Sequence, residues 1–574
     1  MSGFLSSVYS VFTSERAHIV DDKAEALREP FKQWPNDAGF NASVEQREPT
    51  ELAVKGWLPP SVAGTLYRTG PGHYKVEDTV NGTYKASHWF DGFTQIHRFQ
   101  LIPDLKGSCT VLYNSRRQID PLLEHVRKTG RLNCVSFAQK RDPCTSLFQK
   151  IKCTFEPRRN TDPYLANIGV TVSTNPAGLR PQPRATPQSL DPDGPRTLVV
   201  RTDANYFKEI DLATLEPIGV AQQQQLHPDL KGPLSCAHAQ YDHETGDLYN
   251  YNLDFGSVST YRIFKSSFTT GKTEILATIS EKEVPPAYIH SFFLTEDFVI
   301  LAVWSSHFVS YGIKILWDRN ILDSIGQFDP ESKVKWLVVD RRHGKGLVAT
   351  FESPAMFSFH TVNAWQEQRS ETSNSVDIYC DLVQYPTLDI LHRFYYENLV
   401  STGPGVSKYA EEAERSKTSQ SLVRYRLANV PLGPAKEQQP TQAQNAEIVL
   451  QVPSPSVGEL PTINPSYSTR RSRFVYSVVD QGYSSFFDGI AKLDTETLEV
   501  TYWRQLRHTP GEPIFVPDNT REGEDAGFLL SVILDGDKGT SYLLCLDAKT
   551  MEETGRAECD NPVGFGFHGH HVPH

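Results

Sequence analysis

The sequence predicts an all-β protein arranged as a β-propeller, and three observations carry that reading. Short apolar or alternating runs separated by turn residues recur along most of the chain, one hairpin type is used repeatedly, and 574 residues exceed what a single sandwich domain normally reaches.

The runs at 198–201, 248–253, 298–304, 335–339, 347–351, 528–534 and 542–546 are short and separated by turn residues, which is strand punctuation. The hairpin turn has the form D-x-x-T-(L/M)-E at 211–216, 494–499 and 547–552, with a related turn at 242–247. Its Asp accepts backbone N–H groups in a tight turn, and its Thr leads back into the next strand. Helical periodicity is confined to short pieces at 121–128 and 408–417. The Pro-rich stretch 177–196 and the Gln-, Pro- and Ala-rich stretch 431–446 read as exposed loops. The chain accordingly divides into an N-terminal extension, 1–50, and a propeller domain, 51–574.

A formal charge of -12, from 57 basic and 69 acidic residues, argues against nucleic-acid binding, which needs a positive field to displace counterions from phosphate. The eight cysteines, Cys109, Cys134, Cys144, Cys153, Cys236, Cys380, Cys545 and Cys559, contain no C-x-x-C pair and read as reduced, which points to the cytoplasm. Residues 4–12 are mildly apolar but lack a basic lead-in, so they do not read as a signal peptide. No apolar run reaches 18 residues, so the sequence predicts no bilayer span, although the N-terminal segment is suited to lie peripherally on membranes or lipid bodies.

Four of the 18 histidines sit at or beside the end of a strand-like run with small or aromatic neighbours. They are His238 in Ser-Cys-Ala-His-Ala-Gln, His290 in Pro-Ala-Tyr-Ile-His-Ser-Phe-Phe, His360 in Phe-Ser-Phe-His-Thr-Val-Asn and His568 in Gly-Phe-Gly-Phe-His-Gly. Successive members lie 52, 70 and 208 residues apart, a spacing no local metal motif produces. A propeller produces it, because the innermost strand of each blade faces a common axis. Any one such histidine is more often a hydrogen-bonded core residue than a ligand. A set of neutral imidazoles suits iron, copper, zinc or nickel equally, with carboxylates behind it to fix each tautomer. The terminal His570, His571 and His574 lack a flanking apolar strand and are expected at the surface. Gly70-Pro71-Gly72 reads as a turn, and Asp91-Gly92 reads as a hairpin signal beside the aromatic pair Trp89 and Phe90, which is expected between blades.

These residues, with Gly64-Thr-Leu-Tyr-Arg-Thr-Gly-Pro-Gly72 and His88-Trp-Phe-Asp-Gly92, resemble the carotenoid cleavage oxygenase family over nearly the whole chain. The resemblance implies a seven-bladed propeller with a helical and loop cap over the metal face. It also implies Fe(2+) held by His238, His290, His360 and His568, with Asp203, Glu459 and Glu512 accepting from their far ring nitrogens. No residue beyond this metal centre is assigned as catalytic, and His88 is left structural. The family more often has Glu at the position of Asp203, and the shorter side chain predicts a looser or water-bridged contact.

The implied activity is cleavage of a carbon–carbon double bond of a carotenoid or apocarotenoid, of β-carotene or torulene type, by dioxygen to give aldehydes. Three rivals stand beside it. One is a stilbene-cleaving enzyme, whose branch carries Lys where Thr202 stands here. The second is a retinyl-ester isomerohydrolase, and the third a propeller scaffold without catalysis.

Overall fold

Strand Phe298–Val303 and the Trp336–Val339 part of Lys333–Asp340 are continuously apolar rather than alternating, because each is covered on both faces. The computed structural model describes residues 31–132, 135–140, 162–179, 197–312, 314–315, 319–368, 373–432 and 443–573. The apolar N-terminal segment, residues 180–196 and 433–442 of the two expected loops, Cys134, Cys144, Cys153 and His574 lie outside the described residues. The other five cysteines are free and buried.

Five sheets built on four antiparallel strands follow one another along the chain, beginning at Thr171–Thr174, Gln240–Tyr241, Phe293–Leu294, Phe357–Gln368 and Glu459–Thr462, and the third adds a short parallel strand, Gln444–Asn445. The first strand of each is short or begins the meander, and several of these first strands touch each other. The final strand, His568–Pro573, touches both Thr171–Thr174 and Ile514–Pro517, so the sheets are arranged like the blades of a propeller. A ten-stranded sheet combines strands from both ends of the chain. Its strand Thr50–Gly56 pairs with Glu553–Glu558 on one side and Cys109–Arg117 on the other, while Gly64–His73 pairs with His568–Pro573.

The repeated turn has the form the sequence predicts. Asp211, Asp494 and Asp547 each accept two backbone N–H groups through Oδ1, and Thr214, Thr497 and Thr550 each accept the N–H of the following Glu. Between Thr and Glu the chain passes through positive φ, at Leu215, Leu498 and Met551, and the related turn puts Gly246 there instead.

Other expectations are corrected. The helix at 121–128 is present as Asp120–Thr129, stopped by Gly130 at φ 66. The helix expected at 408–417 is two pieces, Val406–Ala410 and Glu412–Ser416, because Glu411 is extended. Gly70-Pro71-Gly72 is not a turn but the end of strand Gly64–His73. Gly70 lies at φ 145, and a Cβ there would meet Gly566 Cα and Phe567 N at 2.5 Å, so glycine is required by the close approach of the neighbouring chain. Trp89–Asp91 forms a single helical turn rather than a hairpin, with the Asp91 carboxylate accepting from Phe137 N and Ala138 N at 2.6 and 2.8 Å. His570 and His571 are half-buried members of the final strand rather than surface residues, since pairing with Tyr67 and Leu66 covers them.

Candidate metal centre

The four histidines reach the hub from the beginnings of first strands. His238 precedes Gln240–Tyr241, His290 precedes Phe293–Leu294, and His568 opens the final strand. His360 lies inside Phe357–Gln368, where the pairing with Ser375–Tyr385 shifts register between Ser358 and Thr361, an irregularity that re-aims a side chain. One ring nitrogen from each histidine lies within 4.8 Å of the others. His568 Nε2 is 3.0 Å from His238 Nε2 and 3.2 Å from His360 Nε2.

Three carboxylates stand behind the rings. His290 Nδ1 donates to Asp203 at 2.8 Å, His360 Nδ1 to Glu459 at 2.5 Å and His568 Nδ1 to Glu512 at 2.7 Å. With Nδ1 committed as donor, Nε2 of each of these rings is an unprotonated lone pair aimed into the cluster. His238 has no carboxylate partner among the described residues. Facing lone pairs with no proton to share repel unless a cation lies among them, so the donor set fits a metal ion. Burial, reinforced by the neighbouring rings, holds His238 and His568 well below the ordinary histidine pKa, keeping both neutral as ligands must be.

The carboxylates are themselves clamped. Asp203 accepts from Tyr288 Oη at 2.8 Å and from Ala237 N at 3.0 Å, Glu459 from Tyr385 Oη at 2.6 Å, and Glu512 from Arg68 Nη1 and Gly569 N, each at 2.7 Å. The contact of Asp203 is therefore direct, not looser or water-bridged, because two further donors fix the shorter side chain in place. Burial pushes the Glu512 carboxyl up to about 7, opposed chiefly by the Arg68 guanidinium. Arg68, Tyr288 and Tyr385 carry no motif that assigns them this role. Tyr288 lies two residues before His290, and Arg68 lies within a quoted motif, yet their partners are remote in sequence.

An apolar cavity of about 1220 Å³ ends on His290, His360 and His568, walled by Phe359, Phe394, Phe487, Phe567 and Leu460. Trp89 and Phe90 also line it, so this pair is part of the cavity wall rather than simple packing between blades. His88 is structural: Nε2 donates to Leu391 O at 2.8 Å and Nδ1 accepts from Phe90 N. A smaller chamber of about 210 Å³ touches His238, His360 and His568. At His360 and His568 the preceding residue, Phe359 or Phe567, lines the cavity and the following one, Thr361 or Gly569, lines the chamber, whereas His238 faces the chamber with both its neighbours, Ala237 and Ala239. The imidazoles thus form a partition between an apolar and a polar compartment.

The model of the retinal pigment epithelial membrane protein family matches residues 39–573. The chain belongs to this family of carotenoid oxygenases. Among relatives of this family member, a carotenoid dioxygenase of Neurospora crassa is 43% identical, covering 96% of this chain and 94% of its own. A torulene dioxygenase of Gibberella fujikuroi is 44% identical over 98% of each chain. The beta,beta-carotene 15,15'-dioxygenase of Mus musculus is 27% identical, over 92% and 90%. The solved structure of a Synechocystis apocarotenoid oxygenase variant superposes with a TM-score of 0.68 at 20% identity, covering 95% of this chain and 99% of that one, which establishes the shared fold.

Proposed function

We propose that this protein is an Fe(II)-dependent dioxygenase that splits a carbon–carbon double bond of a carotenoid, of β-carotene or torulene type, into two aldehydes. The observation that carries the reading is the meeting of four imidazoles at the inner end of a large apolar cavity. His238, His290, His360 and His568 would hold the ion, with Asp203, Glu459 and Glu512 fixing three of the rings. Dioxygen chemistry needs a metal that changes oxidation state, which favours iron over zinc in this imidazole set. Bound iron supplies the activation of dioxygen.

The chain's own residues do the rest. The three carboxylates keep Nδ1 protonated and Nε2 free, so each of those rings offers a lone pair in one direction. The phenylalanine wall removes a hydrocarbon from water at about 25 cal/mol per Å² and gives it no hydrogen bond, so shape decides which bond lies beside the metal. The cavity exceeds the range of about 300–1,000 Å³ usual for drug-sized ligands, in keeping with an extended polyene. No side chain is required to move a proton.

The fungal relatives at 43–44% identity favour carotene or torulene over a stilbene, in line with Thr202 standing where the stilbene branch has Lys. We read the ten-stranded sheet as two blades joined through Thr50–Gly56, which with the five others makes seven, and 51–574 as the oxygenase domain. Among the described residues no helix is long and apolar enough to cross a membrane, and a lipid-soluble substrate favours peripheral contact.

Incubating the iron-loaded protein with β-carotene, torulene and resveratrol under labelled dioxygen tests the proposal. Two carbonyl fragments from a carotenoid, each carrying one labelled oxygen, are expected. Turnover without oxygen uptake, or cleavage of resveratrol alone, would overturn it.

A further inference from the structure

The polar chamber on the far side of the imidazoles contains a buried cation whose charge the metal centre does not use. Arg201, 5% exposed, lines it and has no carboxylate within ion-pair distance among the described residues. Its Nη1 donates to Ser173 Oγ at 2.6 Å, and Tyr241 Oη donates to the same oxygen at 3.1 Å. Both lone pairs of Ser173 Oγ are thereby occupied, which leaves its hydrogen free to donate. Among the described residues the remaining N–H groups of Arg201 have no protein acceptor and keep access to the chamber, while the guanidinium carbon lies 6.0 Å from the centre of the Tyr241 ring. The other polar walls are already committed, with Thr171 Oγ1 donating to Ala237 O, Thr361 Oγ1 to Phe292 O, and the Glu512 carboxylate, which also lines the chamber, accepting from Arg68, His568 and Gly569 N.

Asp203, Glu459 and Glu512 set three negative charges against Arg68 and a divalent ion, which balances without Arg201. A guanidinium taken out of water without a counter-ion is costly, and a paired one much less so. An Arg fork and a hydroxyl donor converging on a small polar recess form a recognition set for an anion.

We propose that this chamber is a binding site for a small inorganic anion of the halide or bicarbonate class, held by Arg201 and Ser173. Its volume, about 210 Å³, admits such an ion with a few waters and excludes an organic acid of substrate size. Because the imidazole layer separates the chamber from the apolar cavity, anion and polyene occupy the protein together, and the anion does not compete with substrate.

Bromide is the probe. Crystals of the iron-loaded full chain, soaked in sodium bromide and measured at the bromine edge, should show an anomalous peak within hydrogen-bond reach of Arg201 and Ser173. In solution, bromide at constant ionic strength against gluconate should raise the unfolding midpoint saturably. Arg201→Met should abolish both effects. Ser173→Ala, which keeps the charge and serves if the arginine variant fails to fold, should weaken bromide roughly tenfold or more, as loss of a hydrogen bond to a charged partner does. A chamber without a bromide peak, or a midpoint response unchanged in Ser173→Ala, overturns the proposal. Carotenoid cleavage by the wild type is read separately, so failure of the anion site is distinguishable from failure of the proposed activity.

Discussion

Each acid behind the metal centre meets more than its histidine, and the difference among the three sets what each substitution costs. Glu459 is shared between His360 and Tyr385, whereas Glu512 also neutralises the buried Arg68. Glu459→Gln is expected to lower metal affinity about 10- to 100-fold with modest loss of stability. Glu512→Gln should add a destabilisation of roughly 3–5 kcal/mol, since it leaves a buried guanidinium unpaired. Metal analysis alongside denaturant unfolding separates the two effects, and equal stability loss in both variants would contradict this account.

A second residue-scale expectation concerns Lys208, which is fully buried with Nζ donating to Gln118 O at 3.3 Å, and whose pKa burial lowers to about 7. The unfolded chain binds the proton up to about pH 10.5, so stability should rise between about pH 7 and 10.5, by about 1.4 kcal/mol per pKa unit separating the two states. Lys208→Met should flatten that slope and stabilise the protein at neutral pH, as unfolding midpoints across pH will report. The four histidines were legible because each sits in a distinctive short motif, and the three acids only through the family resemblance those motifs carry. Arg68, Tyr288 and Tyr385 were not, because their roles arise from partners remote in sequence that only the fold brings together.

Among elements, the repeated turn was the most legible feature, since an Asp acceptor and a Thr acceptor at fixed offsets dictate its hydrogen bonds locally. What the pattern did not disclose is the left-handed residue between Thr and Glu. Leu498 is 52% exposed at φ 63, so its side chain contributes little packing while its backbone is strained. Leu498→Gly should raise stability by up to ~1 kcal/mol. Met551→Gly, at the same φ but with a buried side chain, should lower it by about 2 kcal/mol or more. A thermal shift of the same sign in both would refute the argument. The strand through Gly70 was misread because tertiary approach, invisible to local propensity, decides it.

The sheets are arranged like the blades of a propeller, a strand from near the start, Gly64–His73, pairs with the last, His568–Pro573, and the candidate ligands come from several different sheets. Metal binding and ring integrity are therefore coupled. At free iron 100 times the dissociation constant, the loaded form should gain about 2.7 kcal/mol over the chelated form, visible in scanning calorimetry with and without chelator. His360→Ala should erase that difference. The propeller-like arrangement was legible from strand punctuation and repeat, while the number of strands shared between the two ends of the chain was not, because Thr50–Gly56 and Glu553–Glu558 are some 500 positions apart.

Phe359 and Thr361 flank His360 by a single residue each, one facing the hydrocarbon and the other the polar side. The imidazole layer acts as a bulkhead, and the two compartments can drift independently under selection. Phe359 and Phe567, which bond to none of the three carboxylates, can be rewritten to admit longer, bent or oxygenated polyenes without disturbing the coordination sphere. Diversification of substrate range in this lineage then needs no change to the oxidative centre itself.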